Sequence, residues 1–578
     1  MMQTAKKILI LGLMACLAAT LTPAGTATGA EELQPQKMLQ PQGLNYAGIH
    51  QLRQLDPNLT GAGVKFALIC RSITYINGEP QNDYRPNTEH NCFAAKQFTF
   101  HDQNELPPGI SPHSTAICSI LFGEDTNAFN QQAGQFYYQG TVPQAQADIY
   151  EFWHFLINNV FPHSPPDADI LTAGIGSQFK DWWIRGIESL AEHHGLIVVA
   201  GIGNGTDAHD LPLYPAAAAN VIGVGVVDSV NTENLATNLA HFSLAYPQHS
   251  SFGPTADRRC KPDIVAPGNC LAADGSETDR YEPTGNFSSF STPLVAGTIG
   301  LLVQKAKQNP DLNPAIDQNG GNCVIKAILL NSATKLPYWH KGQLEKDDDH
   351  SAPLDYIQGA GMLNAPAAYK HLIAGQNKPG DASTIGWDNN KLQSQNPQNI
   401  YKITITEPTD KLITATAVWN RHYDNVYPFK PATDKDANIR LELWAIDQND
   451  HNNDYLLDYS DSSVDNVEHI YTTADPNYTN YEIAIFYSDT SNRPTQRYGL
   501  AWNVSKRQAN DGLFWYDLNA DGIVNDSDFA VLLDNWLTST KTPRSYFLGD
   551  INANGTFDPN DVQILLTHKG LKADWYTK

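Results

Sequence analysis

Ser289, His113 and Asn204 are the residues whose types and settings suggest chemistry, and that chemistry is nucleophilic attack on an acyl carbon. A serine hydroxyl is a weak nucleophile at neutral pH. It needs a base within hydrogen-bond reach and donors for the oxyanion that attack creates. Ser289 stands in residues 285–297 (GNFSSFSTPLVAG), at the start of what reads as a long buried helix with Pro293 in its first turn, where a serine feels the helix dipole. His113 opens residues 113–121 (HSTAICSIL), in which a small residue after the histidine lets an apolar helix pack closely on a sheet. Asn204 follows the apolar run 197–200 and is flanked by Gly203 and Gly205, so its amide could donate to an oxyanion. Each has a plainer alternative: Asn-Gly forms turns, Ser288, Ser289 and Ser291 are ordinary helix caps, and most of the 18 histidines must be incidental.

In the chain order histidine, asparagine, serine, these segments resemble those of the subtilase family of serine peptidases. The resemblance implies His113 as general base, Asn204 as oxyanion donor and Ser289 as nucleophile. It also implies that residues 64–73 (VKFALICRSI) hold the first core strand, ending where the family carries its triad aspartate and this chain carries Cys70. Residues 169–176 (DILTAGIG) resemble the strand that pairs with extended substrate by β-augmentation, making Gly174 and Gly176 substrate-binding, with Gly174 in place of a usual serine. Two further departures are Phe287-Ser288 for the usual Gly-Thr and Leu294 for the usual histidine; Phe287 puts a bulky group beside the cleft.

A thiol with a pKa of about 8.5 is mostly uncharged at neutral pH and cannot replace a carboxylate on equal terms. Three readings of Cys70 stand open. It is a buried structural cysteine beside a compensating acid, with Asp83, Glu89 and Asp102 as candidates; or it pairs with Cys92; or catalysis is lost and the cleft only binds.

The formal charge of −24 argues against nucleic acid and anionic membrane as partners. Lys6 and Lys7, an apolar run over residues 8–19 and small residues ending in Thr28-Gly29-Ala30 read as a signal peptide. That run is shorter than the roughly 20 residues a transmembrane helix needs, and no later segment approaches this length, so no transmembrane segment is expected. A lipoprotein signal at residues 13–16 fits less well, because Met14 is unsuited and the apolar run continues past Cys16. The expectation is a secreted protein, attached at most to a cell surface. Its compartment would permit disulfides, with Cys70–Cys92 and Cys260–Cys270 the pairs nearest in sequence.

The positioning elements divide the chain into four. Residues 1–30 are the leader. Residues 31–376 alternate strand-like and helix-like runs, the pattern of an α/β domain with a mainly parallel sheet. Residues 377–507 carry short alternating segments such as YKITI at 401 and IRLELWAI at 439, which read as an antiparallel β-sandwich and resemble the jelly-roll domains that follow bacterial subtilase catalytic domains. Residues 508–578 contain a repeat with a period of 33 residues.

In that repeat, Asp517-Leu-Asn519-Ala-Asp521-Gly522 recurs as Asp550-Ile-Asn552-Ala-Asn554-Gly555, each copy ending in a carboxylate at loop position twelve, Asp528 and Asp561. Oxygen ligands at alternate positions, a glycine for the turn and a ligand from the following helix are EF-hand-type calcium spacing, with Ile523 and Thr556 at position seven. Phe529, Leu532 and Leu533 reappear in register as Val562, Leu565 and Leu566, an apolar helical face. Solvated Asx-rich turns would not demand two registered loop–helix units. Paired loops with aspartate at position twelve resemble a dockerin domain, a small α-helical pair of EF-hand-like units, which implies Ca2+ as cofactor and a cohesin-like receptor as partner. The whole reads as a secreted subtilisin-like serine endopeptidase acting on polypeptides, weakened by Cys70, with a catalytically inactive peptide-binding or scaffold protein as the alternative.

Overall fold

The computed structural model describes residues 38–572 apart from 42, 71–73, 78, 82, 103–108, 132–133, 206–210, 228–249, 336–338, 343–347, 410, 489–493, 507–522, 535 and 537–557. The expected leader lies outside the described residues. Seven apolar runs form one sheet: β1 (Lys65–Ile69), β2 (Phe98–His101), β3 (Gln146–Tyr150), β4 (Ile170–Ala173), β5 (Ile197–Gly201), β6 (Ile222–Val227) and β7 (Ile264–Pro267). Their order is β7-β6-β5-β4-β1-β3-β2, and every neighbouring pair is parallel. A parallel sheet is covered on both faces, which is why these strands are near-continuous apolar runs.

The pleat sorts the side chains between two cores. Phe66, Leu68 and Cys70 face one, together with residues of α1 (Pro112–Phe122) and α3 (Ser288–Gln308); Ala67 and Ile69 face the other, with α2 (Trp182–His194). Helix α1 starts at Pro112 behind Ser111, whose hydroxyl accepts from Ser114 N at 3.1 Å. Helix α3 begins at Ser288, earlier than the proline suggests, so Pro293 lies in the second turn. There it withholds the N–H that would bond the Ser289 carbonyl. Gly297 allows α3 its close approach, since a Cβ there would collide with the Thr141 side chain.

Helices α4 (Gly321–Ser332) and α5 (Ala365–Ile373) lead to eight further strands: β8 (Ile385–Leu392), β9 (Gln398–Thr404), β10 (Lys411–Val418), β11 (Ile439–Ile446), β12 (Tyr455–Ser460), β13 (Val467–Thr473), β14 (Asn480–Tyr487) and β15 (Gln496–Lys506). One sheet runs β8-β15-β10-β13; the other runs β9-β14-β11-β12, with the short strand Gly380–Ala382 parallel on β9. All other pairings are antiparallel. Side chains from both sheets share one core, Tyr401, Leu441 and Ile483 from one and Ile413, Ala415 and Trp502 from the other. Gly499 of β15 lies so close to α4 that a Cβ there would collide with the Val324 backbone. Thr416 Oγ1 donates to Asn331 Oδ1 at 2.9 Å across the same junction.

Two helices, α6 (Asp526–Asp534) and α7 (Pro559–His568), represent the C-terminal repeat. Leu532 and Leu565 are buried as the repeat suggests, whereas Leu533 and Leu566 are both exposed, so the apolar face is narrower than the sequence pattern. No helix of the described residues is long and apolar enough to cross a membrane.

Candidate active site

Strands β1, β4 and β5 are neighbours, and the chain leaving their C-terminal ends carries Cys70, Gly174 and Asn204. The carboxyl ends of parallel strands are where open α/β sheets bind ligands. Helices α1 and α3 add His113 and Ser289 from their first turns. His113, Asn204 and Ser289 line one cleft of about 520 Å³. Ser289 Oγ donates to the Gly174 carbonyl at 3.4 Å.

Ser288 controls the geometry of Asn204. Its backbone N–H and its hydroxyl both donate to Asn204 Oδ1 at 2.9 Å, and Gly203 N donates back to Ser288 Oγ at 3.2 Å. A backbone N–H can only donate, so the amide oxygen must face Ser288 and the amide NH2 must face away from it. Gly203, at φ 116°, permits this turn, and a Cβ there would press on Ser251 and Leu213. The sequence offered Ser288 as a possible cap and as a departure from the family's usual residue; its place directly before Ser289 was the available signal.

The opposite wall comes from a hairpin not singled out in the sequence, Leu271–Ala273 with Tyr281–Pro283, which contributes Ala272, Ala273 and Glu282, together with Asp274 from its turn. Phe287 lines the same cleft at 39% exposure, so a bulky group does stand at its edge. The His113 ring packs beside Phe290 with centroids 5.7 Å apart.

Cys70 is fully buried and is not part of the cleft lining. It shares its apolar core with Cys118, which is also fully buried and sits on the helix that bears His113. Burial pushes the Cys118 thiol well above its ordinary value. All six cysteines of the described residues are thiols. Cys260 Sγ donates to the Leu354 carbonyl at 3.4 Å, while Cys270 lies against Gly43, so neither pair nearest in sequence is disulfide-bonded. Of the candidate acids, Asp102 accepts from Arg85 Nη2 at 2.6 Å and from Tyr84 OH at 2.7 Å, Glu89 is exposed and Asp83 is half-buried.

Gly174 follows β4, its N–H donates to the Ile69 carbonyl at 3.0 Å, and a Cβ on it would press on Ile117 and approach the His113 ring. Gly176 lies beyond the strand, in a groove of about 440 Å³ with Trp153, Phe179, Trp182 and Trp183. In the C-terminal repeat, Asp528 and Asp561 are both buried and each accepts the backbone N–H three residues back, from Asn525 at 2.7 Å and Asp558 at 2.9 Å. Ile523 bridges to Lys572. The expected ligands Asp517, Asn519, Asp521, Asp550, Asn552, Asn554 and Thr556 lie outside the described residues.

A model of the subtilase family matches residues 50–361, and a model of the dockerin type I domain matches residues 515–568. The serine protease AprX of Bacillus subtilis is 28% identical over 280 residues, covering 42% of this chain and 55% of that protein. The subtilisin-like protease SBT6.1 of Arabidopsis thaliana is 30% identical over 325 residues, covering 54% of this chain and 26% of that protein. The chain thus spans about half of AprX and a smaller share of SBT6.1. A serine protease of Aeromonas sobria aligns over 83% of this chain and 99% of its own at 11% identity with a TM-score of 0.37, too loose a likeness to bear on the site.

Proposed function

Since the chain belongs to the subtilase family and ends in a type I dockerin domain, we propose that it is a secreted serine endopeptidase that cleaves polypeptides while docked through its tail to a cohesin-like receptor. The observation that carries this reading is the convergence of Ser289, His113 and Asn204 on one cleft, with the Asn204 amide NH2 turned away from Ser288.

In the proposed reaction Ser289 Oγ attacks the substrate carbonyl carbon as its proton passes to His113. The carbonyl oxygen becomes an oxyanion that accepts hydrogen bonds from the Asn204 amide and from the Ser289 backbone N–H, which stands in a helical first turn where N–H groups lack intrahelical acceptors. Collapse expels the amine, which takes the proton from His113. Water then repeats the steps in reverse order and frees the acid and Ser289. Substrate backbone pairs along residues 174–176.

Cys70 occupies the position of the acid that would orient and stabilise the histidine. Losing such a carboxylate costs a factor of about 10⁴ while leaving residual catalysis from the remaining groups. The burial of Cys70 and the presence of Phe287 in the cleft favour weak hydrolysis, and they are also what supports the second reading, an inactive peptide-binding protein.

The remaining parts of the proposal concern organisation. We take residues 1–30 as leader, 31–376 as peptidase, 377–507 as a jelly-roll sandwich and 508–578 as the dockerin. The jelly-roll reading is supported by the strand order, first-eighth-third-sixth in one sheet and second-seventh-fourth-fifth in the other. Ca2+ in the tail is supported by the matched helix-borne carboxylates Asp528 and Asp561, whose buried oxygens suit a hard cation. Labelling of the purified mature protein with a fluorophosphonate tests the chemistry. Labelling that vanishes in Ser289→Ala is expected; an unlabelled wild type would favour the binding protein, and labelling that survives in Ser289→Ala would misplace the nucleophile.

A further inference from the structure

We infer that Phe290 is a positioning residue for His113, whose ring steadies the imidazole in the cleft and favours the imidazolium that forms during attack. This rests on the proposed roles of His113 and Ser289 and adds to them. The His113 and Phe290 rings lie 5.7 Å apart between centroids, tilted by 51°, and both residues line the cleft that holds Ser289. Phe290 is 8% exposed and belongs to the core shared by α1 and α3, so its ring has little freedom to leave the histidine. Phe287 braces it in turn, with ring centroids 6.3 Å apart at 62° and the Phe290 N–H donating to the Phe287 carbonyl at 2.9 Å. The Gly174 backbone bears on the same imidazole, because a Cβ there would stand 3.5 Å from His113 Cε1. The bulk that the sequence places beside the cleft is therefore the outer support of an aromatic row, Phe287, Phe290 and His113.

An aromatic ring carries a quadrupole with a negative face, and a cation within about 6 Å of its centroid is attracted to it. A neutral imidazole gains little from this and an imidazolium gains more. The ring therefore acts as the charge appears, when Ser289 Oγ bonds to the substrate carbonyl carbon and its proton passes to His113. A triad carboxylate supplies a fixed orientation for the histidine and a counter-charge. Phe290 supplies the orientation by packing and part of the charge stabilisation by its quadrupole. The other titratable groups among the described residues lining the cleft are Asp274 and Glu282. Both face Arg280, whose Nε lies 3.5 Å from Asp274 Oδ2 and 2.8 Å from Glu282 Oε1, so their charges are offset by that guanidinium. Cys70 lies outside this lining.

The test is the pH dependence of peptide hydrolysis by the full-length protein, wild type against Phe290→Leu and Phe290→Tyr, with circular dichroism to establish that each variant folds. The acidic limb of kcat/KM reports the base, which must be neutral to accept the proton. In Phe290→Leu, kcat is expected to fall about threefold to tenfold with KM little changed, and the acidic limb to move down by about half a unit to one unit, because the charged imidazole has lost its ring. Phe290→Tyr keeps the ring and is expected to restore both. An unmoved acidic limb in Phe290→Leu, whatever the loss of rate, would overturn the inference, and so would a Phe290→Tyr variant as impaired as Phe290→Leu. If Phe290→Leu does not fold, Phe290→Met, closer in volume, answers the same question. A wild type that hydrolyses nothing would count against the proposed function, and the inference is then read from the imidazole directly. In the NMR spectrum of histidine-labelled protein, with the His113 signal assigned by its loss in His113→Gln, the titration midpoint is expected at lower pH in Phe290→Leu than in wild type. Coincident midpoints would overturn it.

Discussion

The hydroxyl and the backbone N–H of Ser288 both donate to the side-chain oxygen of Asn204, each at 2.9 Å, across 84 residues of chain. The pair fixes which way the amide points, and so makes Asn204 a donor facing away from Ser288.

Asn204→Ala removes the donor outright, and peptide hydrolysis is expected to fall about 100-fold to 1000-fold. Ser288→Ala removes one of two bonds holding the amide and leaves the backbone donor, so a loss of roughly tenfold is expected. Steady-state kinetics on a common peptide substrate give both numbers. Equal losses in the two variants would show that Ser288 does more than orient Asn204.

Cys70→Asp places a carboxylate beside the helix that bears His113. Buried in the apolar core it would be costly, so it gains by turning to the imidazole, and hydrolysis is expected to rise at least about tenfold, within the ~10⁴ range lost with a triad aspartate. A level rate in an already active protein would direct attention to Asp83 and Asp102, and no hydrolysis in either form would favour the binding protein.

Removal of calcium is expected to unfold the tail alone. Asp517, Asp521 and Asp528 crowd negative charge that a cation must offset, so metal-binding energy there is folding energy. Limited trypsin digestion of the full chain in chelator is then expected to trim it back to near Lys506, with protection restored by calcium. An identical digest in both conditions would contradict this.

His371 Nε2 donates to the Trp502 carbonyl at 2.8 Å and reaches the Gly386 carbonyl at 3.2 Å, where α5 meets the first and last sandwich strands, β8 and β15. Burial lowers its pKa to about 4, against the opposing effect of these two carbonyls. A depressed imidazole pKa means that the unfolded chain binds the extra proton first. Its contribution is present above the unfolded pKa of about 6.5 and declines by about 1.4 kcal/mol per pH unit as pH falls towards 4. Urea midpoints for wild type and His371→Gln between pH 7 and pH 4 isolate this contribution, and parallel curves would refute it.

Gly499→Ala is expected to destabilise the whole described body by about 1–3 kcal/mol, because the added carbon meets the Val324 backbone rather than a side chain that can swing aside. A lowered thermal midpoint with a single transition checks it. Two separated transitions would mean that the sandwich and the peptidase sheet do not unfold as a unit.

Much of this was legible before any coordinates. Strands buried on both faces must be apolar throughout, so runs such as residues 197–200 announce themselves. Ser289, His113 and Asn204 are recognisable because each is embedded in a local element, a helix start or a strand exit, whose geometry short stretches of sequence encode. The repeat of the tail is equally local. Other features depend on partners far apart in the chain. Cys70 could have met an acid, Cys92 or the cleft. The pleat of β1 turned it into the core that it shares with Cys118 of α1, 48 residues away, and out of the cleft lining. The grip of Ser288 on Asn204, the hairpin wall of the cleft and the seating of α4 against Gly499 likewise arise from contacts between distant segments, and close packing in three dimensions selects those from the many that composition alone would allow.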